Sequence, residues 1–195
     1  MKKILTTAIL CAGLVGFTAC DSFLDEDPKS SLTLDTYYKT SADIIGNVNY
    51  LYRDGAPDKM GNMTGAYRGS SLSVMNMVTG YFVNEYEGQE VDCSYARQLT
   101  RQDFTQSCCN YLTNDTWKSC YKSINVANAV IKYVDGVEMD NQAQYKAEAR
   151  FFRALNYFYL VKMFGDVPMV TEPTEDATLV EYPTRTAASE VFNTV

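Results

Sequence analysis

The sequence predicts a mainly α-helical fold, and three observations carry that prediction. Apolar residues recur at three- and four-residue steps in several windows. The two strongest windows lie next to each other, separated by about six residues. Glycine or proline closes both of them.

The chain opens with Met1-Lys2-Lys3 and an uncharged apolar run of fourteen residues from Ile4 to Phe17. A bilayer span needs roughly 20 residues, so residues 1–19 read as a signal peptide and not as a membrane helix. Small residues just before Cys20 point to lipoprotein processing, with Cys20 as the acylated first residue of the mature chain, although Phe17 stands where a leucine-like residue is usual. Several acyl chains, at about 0.8 kcal/mol per buried methylene, hold a protein stably on a membrane. Residues 20–34 form an acidic tether. Its Asp21, Asp25, Glu26 and Asp27 suit either a solvated linker or an export signal, and Pro28 with the following Lys-Ser-Ser favours extended chain.

The folded body is expected over residues 35–195. A first helix is predicted from Thr40 or Ser41, with Asp43 in its first turn and Ile44, Val48, Leu51 and Tyr52 on its apolar face, ending near Gly55. Residues 55–70 read as a loop. Within it Gly61, Gly65 and Gly69 lack the Lys-Ser/Thr ending of a nucleotide loop. Leu72, Met75, Val78 and Phe82 have helical spacing and predict a second helix. Residues 83–115 have no clean period and read as a long ordered excursion, a common place for binding groups on a rigid scaffold.

From Trp117 the period returns. Cys120, Ile124, Ala127, Ile131 and Val134 form one stripe, with Asn114 or Asp115 as the expected cap and Gly136 as the stop. The next helix is greasy on most of its surface: Phe151, Leu155, Phe158 and Val161, then Phe152, Tyr159 and Met163. Its polar remainder is a narrow stripe of Lys146, Arg150, Arg153 and Tyr157, suited to internal pairing or to a charged neighbour. Gly165 suits the left-handed terminal conformation, Asp166 a turn, and Pro168 cannot continue the helix. The two helices should form an antiparallel hairpin, the unit of tetratricopeptide-type stacks, though no strict 34-residue repeat is present. A last helix is expected through Glu190, Val191 and Phe192, capped by Thr186.

Composition excludes several functions. The chain carries 17 basic and 24 acidic residues; removing residues 1–19, which hold two lysines and no acid, leaves 15 against 24, a net charge of −9. That disfavours a nucleic-acid partner. With no histidine, Ser-His-Asp, Cys-His and two-histidine zinc arrangements are impossible. A carboxylate-only glycosidase could use Glu85, Glu87, Glu90 or Asp92, but acids in such a loop are usually just solvated. No cofactor is implied. Cys93, Cys108, Cys109 and Cys120 have two open readings: up to two disulfides of undefined pairing in an exported protein, or buried thiols. Their spacing does not suit zinc.

Tyr81, Tyr86, Tyr95 and Tyr111 sit within residues 81–115, and Tyr95 beside Asp92 and Arg97 makes that trio the candidate ligand contact. Trp117 and Tyr121, on a helical stripe, read as core.

Five segments in order, CDSFLDEDP, LYRDG, WKSCYKSINVANAVI, EARFFRALNYFYLVKMFGDVPMV and YPTRTAASEVFN, resemble the N-terminal part of the SusD/RagB family, the glycan- and nutrient-binding lipoproteins of Bacteroidetes. The resemblance implies a SusD-like helical body with tetratricopeptide-type hairpins and long irregular loops. It implies a non-enzymatic protein on the outer membrane, lipid-anchored and facing the cell surface, that passes oligosaccharides to a SusC-type TonB-dependent transporter. Family members are usually much longer, so the chain reads as a truncated N-terminal portion. A non-functional or structural remnant is the alternative to a working binding protein, and a glycosidase a distant third. The Cys108-Cys109 pair is not a family feature.

Overall fold

The computed structural model describes residues 33–53, 76–83, 97–104, 107–175 and 183–195, with backbone alone over 107–115. The fold is mainly helical, as the sequence predicts. A short helix α1 (Leu34–Tyr37) leads into α2 (Ser41–Arg53). Two long helices follow, α3 (Ser107–Tyr133) and α4 (Gln142–Phe164), joined through a 3-10 turn at Val134–Gly136. The chain then runs through β1 (Val167–Pro168), β2 (Arg185–Thr186) and α5 (Ala188–Thr194).

Helix α2 begins where its first turn can satisfy its own amides. Asp43 Oδ2 accepts the Thr40 amide at 2.8 Å and the Thr40 hydroxyl at 2.7 Å, and the Asp43 amide points back at the Thr40 hydroxyl at 3.4 Å. This reciprocal capping holds the Asp43 carboxyl below the usual carboxylate range, the Thr40 hydroxyl contributing most. Ile44, Val48 and Leu51 are buried as predicted, whereas Tyr52 is 56% exposed. Tyr52 sits one residue past Leu51, about 100° around the helix from it, and its ring packs roughly perpendicular to that of Phe152, at 4.6 Å between centroids.

Helices α3 and α4 form the antiparallel hairpin. Trp117 meets Phe164 at 5.0 Å, Tyr121 meets Tyr157 at 6.5 Å, and Arg153 reaches Asn128, so positions advancing along one helix meet positions receding along the other. Cys120, Ile124, Ala127 and Val134 are buried, and Ile131 is half-buried at the stripe's margin. The expected start of α3 is corrected: Asn114 and Asp115 lie inside the helix, which begins at Ser107. A residue with good capping chemistry is simply carried along where the helix continues past it.

Two apolar clusters make the core. One joins α2 to the turn end of the hairpin through Ile44, Val48, Leu51, Val130, Val134 and Phe152. The other joins the opposite end to β1 and α5 through Cys120, Ile124, Tyr157, Leu160, Val167 and Val191. Together they decide which side of α4 is inside. Phe152, Tyr157, Leu160 and Val161 point inward, while Phe151 and Phe158 stay 61% and 43% exposed. The placement of Tyr157 on the polar stripe is therefore corrected.

Gly165 ends α4 at φ 70°, its amide donating to the Val161 carbonyl at 2.9 Å. The chain reverses into β1, which pairs antiparallel with β2, Val167 opposite Thr186. Thr186 is thus a strand residue and does not cap α5. The first amide of that helix, at Ala188, is taken instead by Asp166 Oδ1 at 2.9 Å. The turn residue after α4 caps the helix that comes 22 residues later.

Candidate functional site

Residues 97–104 lie within the excursion and residues 76–83 lead into it, and the two pieces touch. Gln102 Nε2 donates to the Val78 carbonyl at 3.3 Å, and the Thr100 hydroxyl lies 3.8 Å from Met77 Sδ. The predicted second helix stops early: Asn76 and Met77 are helical, residues 78–80 turn, and Gly80 takes φ 78°. The Thr79 hydroxyl bridges this turn, donating to the Asn76 carbonyl at 2.7 Å and accepting the Tyr81 amide at 3.2 Å. Phe82 consequently leaves the helical face expected for it. Leu72 and Met75 lie outside the described residues.

Leu99 is fully buried beneath the second piece, whose chain reverses at Gln102 with φ 56°. Beyond these anchors, Tyr81 is 90%, Phe82 52% and Phe104 54% exposed. A fixed base with aromatic rings held in water is what sugar C–H faces can stack on. Of the predicted ligand trio, Arg97 opens the helical turn 97–100 and is half-buried. Asp92 and Tyr95 lie outside the described residues, as do Tyr86 and the acids Glu85, Glu87 and Glu90; the side chain of Tyr111 does too. Sequence reasoning missed Phe82 and Phe104. The Thr79-Gly80 pair was the available signal that the helix ended before Phe82.

The remaining predicted positions divide clearly. Lys146 pairs with Asp135, and Arg153 Nη1 donates to Asn128 Oδ1 at 3.1 Å, so both are engaged within the chain. Burial pushes the Arg153 guanidinium's pKa down. Arg150 remains exposed. Cys120 is a buried thiol packed among Ile124 and Tyr157. Cys20, Cys93 and the side chains of Cys108 and Cys109 lie outside the described residues. Trp117 and Tyr121 are half-buried in the core, and the Tyr121 hydroxyl donates to the Pro168 carbonyl at 2.7 Å.

That last bond belongs to a row. After β1 the chain crosses the hairpin as an extended strap, held at alternate residues by side chains of α3 and α4. Asn128 Nδ2 donates to the Val170 carbonyl at 3.0 Å and to the Glu172 carbonyl at 3.2 Å. The Tyr157 hydroxyl donates to the Val170 carbonyl at 2.9 Å and accepts the Val170 amide at 2.7 Å, and Asn125 Oδ1 accepts the Thr174 amide at 2.7 Å. At the strap's end Glu175 pairs with Lys132 and accepts the Tyr133 hydroxyl at 2.9 Å. Those two donors hold the Glu175 carboxyl below its ordinary range, Lys132 contributing most. The groove of the hairpin is thus filled by the chain itself among the described residues.

The described residues form a helical hairpin with an extended strap across it, and comparison with known proteins gives the family to which this fold belongs. A SusD-like family model, described as starch-binding and associating with the outer membrane, matches residues 22–195, and the chain belongs to that family. SusD-like protein P2 of Formosa agariphila is 27% identical over 98% of this chain and 36% of its own length. SusD-like protein P25 of the same organism is 27% identical over 80% of this chain and 29% of its own. A SusD-like protein of Bacteroides ovatus is 26% identical over 93% of this chain and 30% of its own. The chain spans about a third of the length of these curated relatives. No solved structure matches significantly.

Proposed function

We propose that the protein is a non-enzymatic glycan-binding lipoprotein, anchored to the outer membrane through acyl chains on Cys20, facing the cell surface, and delivering oligosaccharides to a SusC-type TonB-dependent transporter. The family match over residues 22–195 carries this reading, since its description names starch binding and outer-membrane association. The signal pattern before Cys20 supports the anchor, and the exposed rings of Tyr81, Phe82 and Phe104 support the ligand class. Asp92, Tyr95 and Arg97 extend the same excursion and are proposed to add polar contacts to sugar hydroxyls.

Affinity electrophoresis through gels containing soluble starch and other neutral polysaccharides tests the reading. At least one polysaccharide should retard the protein, and Tyr81→Ala with Phe104→Ala should weaken that retardation about tenfold, as expected for two lost stacking faces. Unchanged migration in every gel sinks the binding function, and release of reducing sugar sinks the non-enzymatic one. Incorporation of labelled palmitate, abolished by Cys20→Ser, checks the anchor.

A further inference from the structure

A cleft of about 450 Å³ lies between the start of α2 and the turn that joins the hairpin, at residues removed in sequence from the excursion. Ile45, Met139 and the ring of Tyr145 give it an apolar wall, and all three are half-buried. Ser41, Glu138, Asp140 and Asn141 give it a polar rim. Among the described residues, none that lines it is basic.

The rim is built before any ligand arrives. Val137, 3% exposed, anchors the turn on its N-terminal side, and the Gln142 side chain donates to the carbonyls of Val134 and Val137. On its other side Asn141 stands at φ 61°, a left-handed backbone rare outside glycine, and its carbonyl receives the Gln144 and Tyr145 amides at 2.9 and 3.2 Å. Such strain is tolerated where the surroundings fix it, and it concentrates at functional positions. That backbone fixes Asn141 among the residues lining the cleft, next in sequence to Asp140.

We propose that this cleft is a second saccharide subsite, selective for neutral sugars, a proposal that rests on the glycan-binding reading. The volume lies within the range of small-molecule sites, about 300–1,000 Å³. An apolar wall with one aromatic ring suits the C–H face of a pyranose, while carboxylates, an amide and a hydroxyl suit its ring of hydroxyls. Two carboxylates without a cation among the lining residues repel uronate, sulfate and phosphate groups, which sets the selectivity.

Titration of the isotope-labelled protein, followed by amide chemical shifts, tests the proposal. The probes are neutral trisaccharides (maltotriose, cellotriose, laminaritriose and mannotriose) and trigalacturonic acid. At least one neutral probe should saturably shift the Asp140, Asn141 and Tyr145 amides, and the acidic probe should leave them still. Asn141→Gly keeps the left-handed backbone and removes only the amide, so it should fold normally and bind about fivefold more weakly, the effect of one hydrogen bond. Glu138→Gln with Asp140→Asn should weaken the neutral probe about tenfold or more. Neutral probes that shift only residues 76–104 overturn the cleft and leave the glycan-binding reading standing. Equal binding of trigalacturonic acid, or full affinity in Asn141→Gly and in the double variant, overturns it too. Silence of all resonances with every probe brings down the cleft, and starch-gel migration decides the parent reading separately.

Discussion

Gly165 and Gly46 show how one residue type serves opposite ends in this chain. Gly165 stands at φ 70° and ψ −124°, a conformation that a Cβ disfavours whatever surrounds it, yet nothing lies within 4 Å of where that Cβ would be. Gly165→Ala is therefore expected to destabilise by about 1–3 kcal/mol through backbone strain alone. Gly46 sits inside α2, again with nothing within 4 Å of an added Cβ, so Gly46→Ala should stabilise by about 0.5–1 kcal/mol. Chemical denaturation of the two variants should move their midpoints in opposite directions. Two shifts of the same sign would mean that α4 ends differently.

At the scale of elements, helix ends are set by carboxylates that reach backbone amides. Asp166, in the turn after α4, takes the Ala188 amide and so starts α5, a helix of seven residues too short to persist alone. Asp166→Ala should cost about 1 kcal/mol and speed amide exchange across residues 188–194 first. Uniform exchange behaviour in wild type and variant would dismiss the cap. Asp43 makes the corresponding contacts for α2, and the Thr40 hydroxyl and amide hold its folded pKa below the ordinary carboxylate value that it has in the unfolded chain. Its contribution is fully present above that unfolded value and is lost as pH falls through the lower folded value. Asp43→Asn should therefore remove a pH-dependent increment seen in wild-type stability between the two values, with no difference in slope above pH 5. These ends also mark how far the fold could be read from sequence. The Thr40–Asp43 pair and the Ile44, Val48, Leu51 spacing sit within single windows, so α2 was legible. The start of α3 was not, because Asn114 and Asp115 offer capping chemistry that the continuing helix leaves unused. In the excursion, the aromatic richness was legible, but the exposure of Phe82 depends on a turn closed by Thr79 and Gly80.

The whole molecule adds what no window holds. Helix α4 is apolar nearly all round, and only the joint presence of α2, α3 and the strap decides that Tyr157 is buried and Phe158 is not. The strap carries no sequence signature because its partners are backbone groups, which every residue supplies. Its attachment nevertheless ties the two long helices into one cooperative body, and Val170 is the point where they meet. The Val170 carbonyl accepts from Asn128 on α3 and from Tyr157 on α4. Asn128→Ala and Tyr157→Phe should each cost about 1–3 kcal/mol, since each removes bonds to partly buried backbone. In either single variant the Val170 carbonyl keeps one donor, and only the double variant takes away both. The double variant should therefore lose about 1 kcal/mol more than the two singles together, a coupling that a double-mutant cycle on denaturation free energies measures directly. Simple additivity would mean that water replaces the lost donors, and that the strap is laid over the hairpin without joining it.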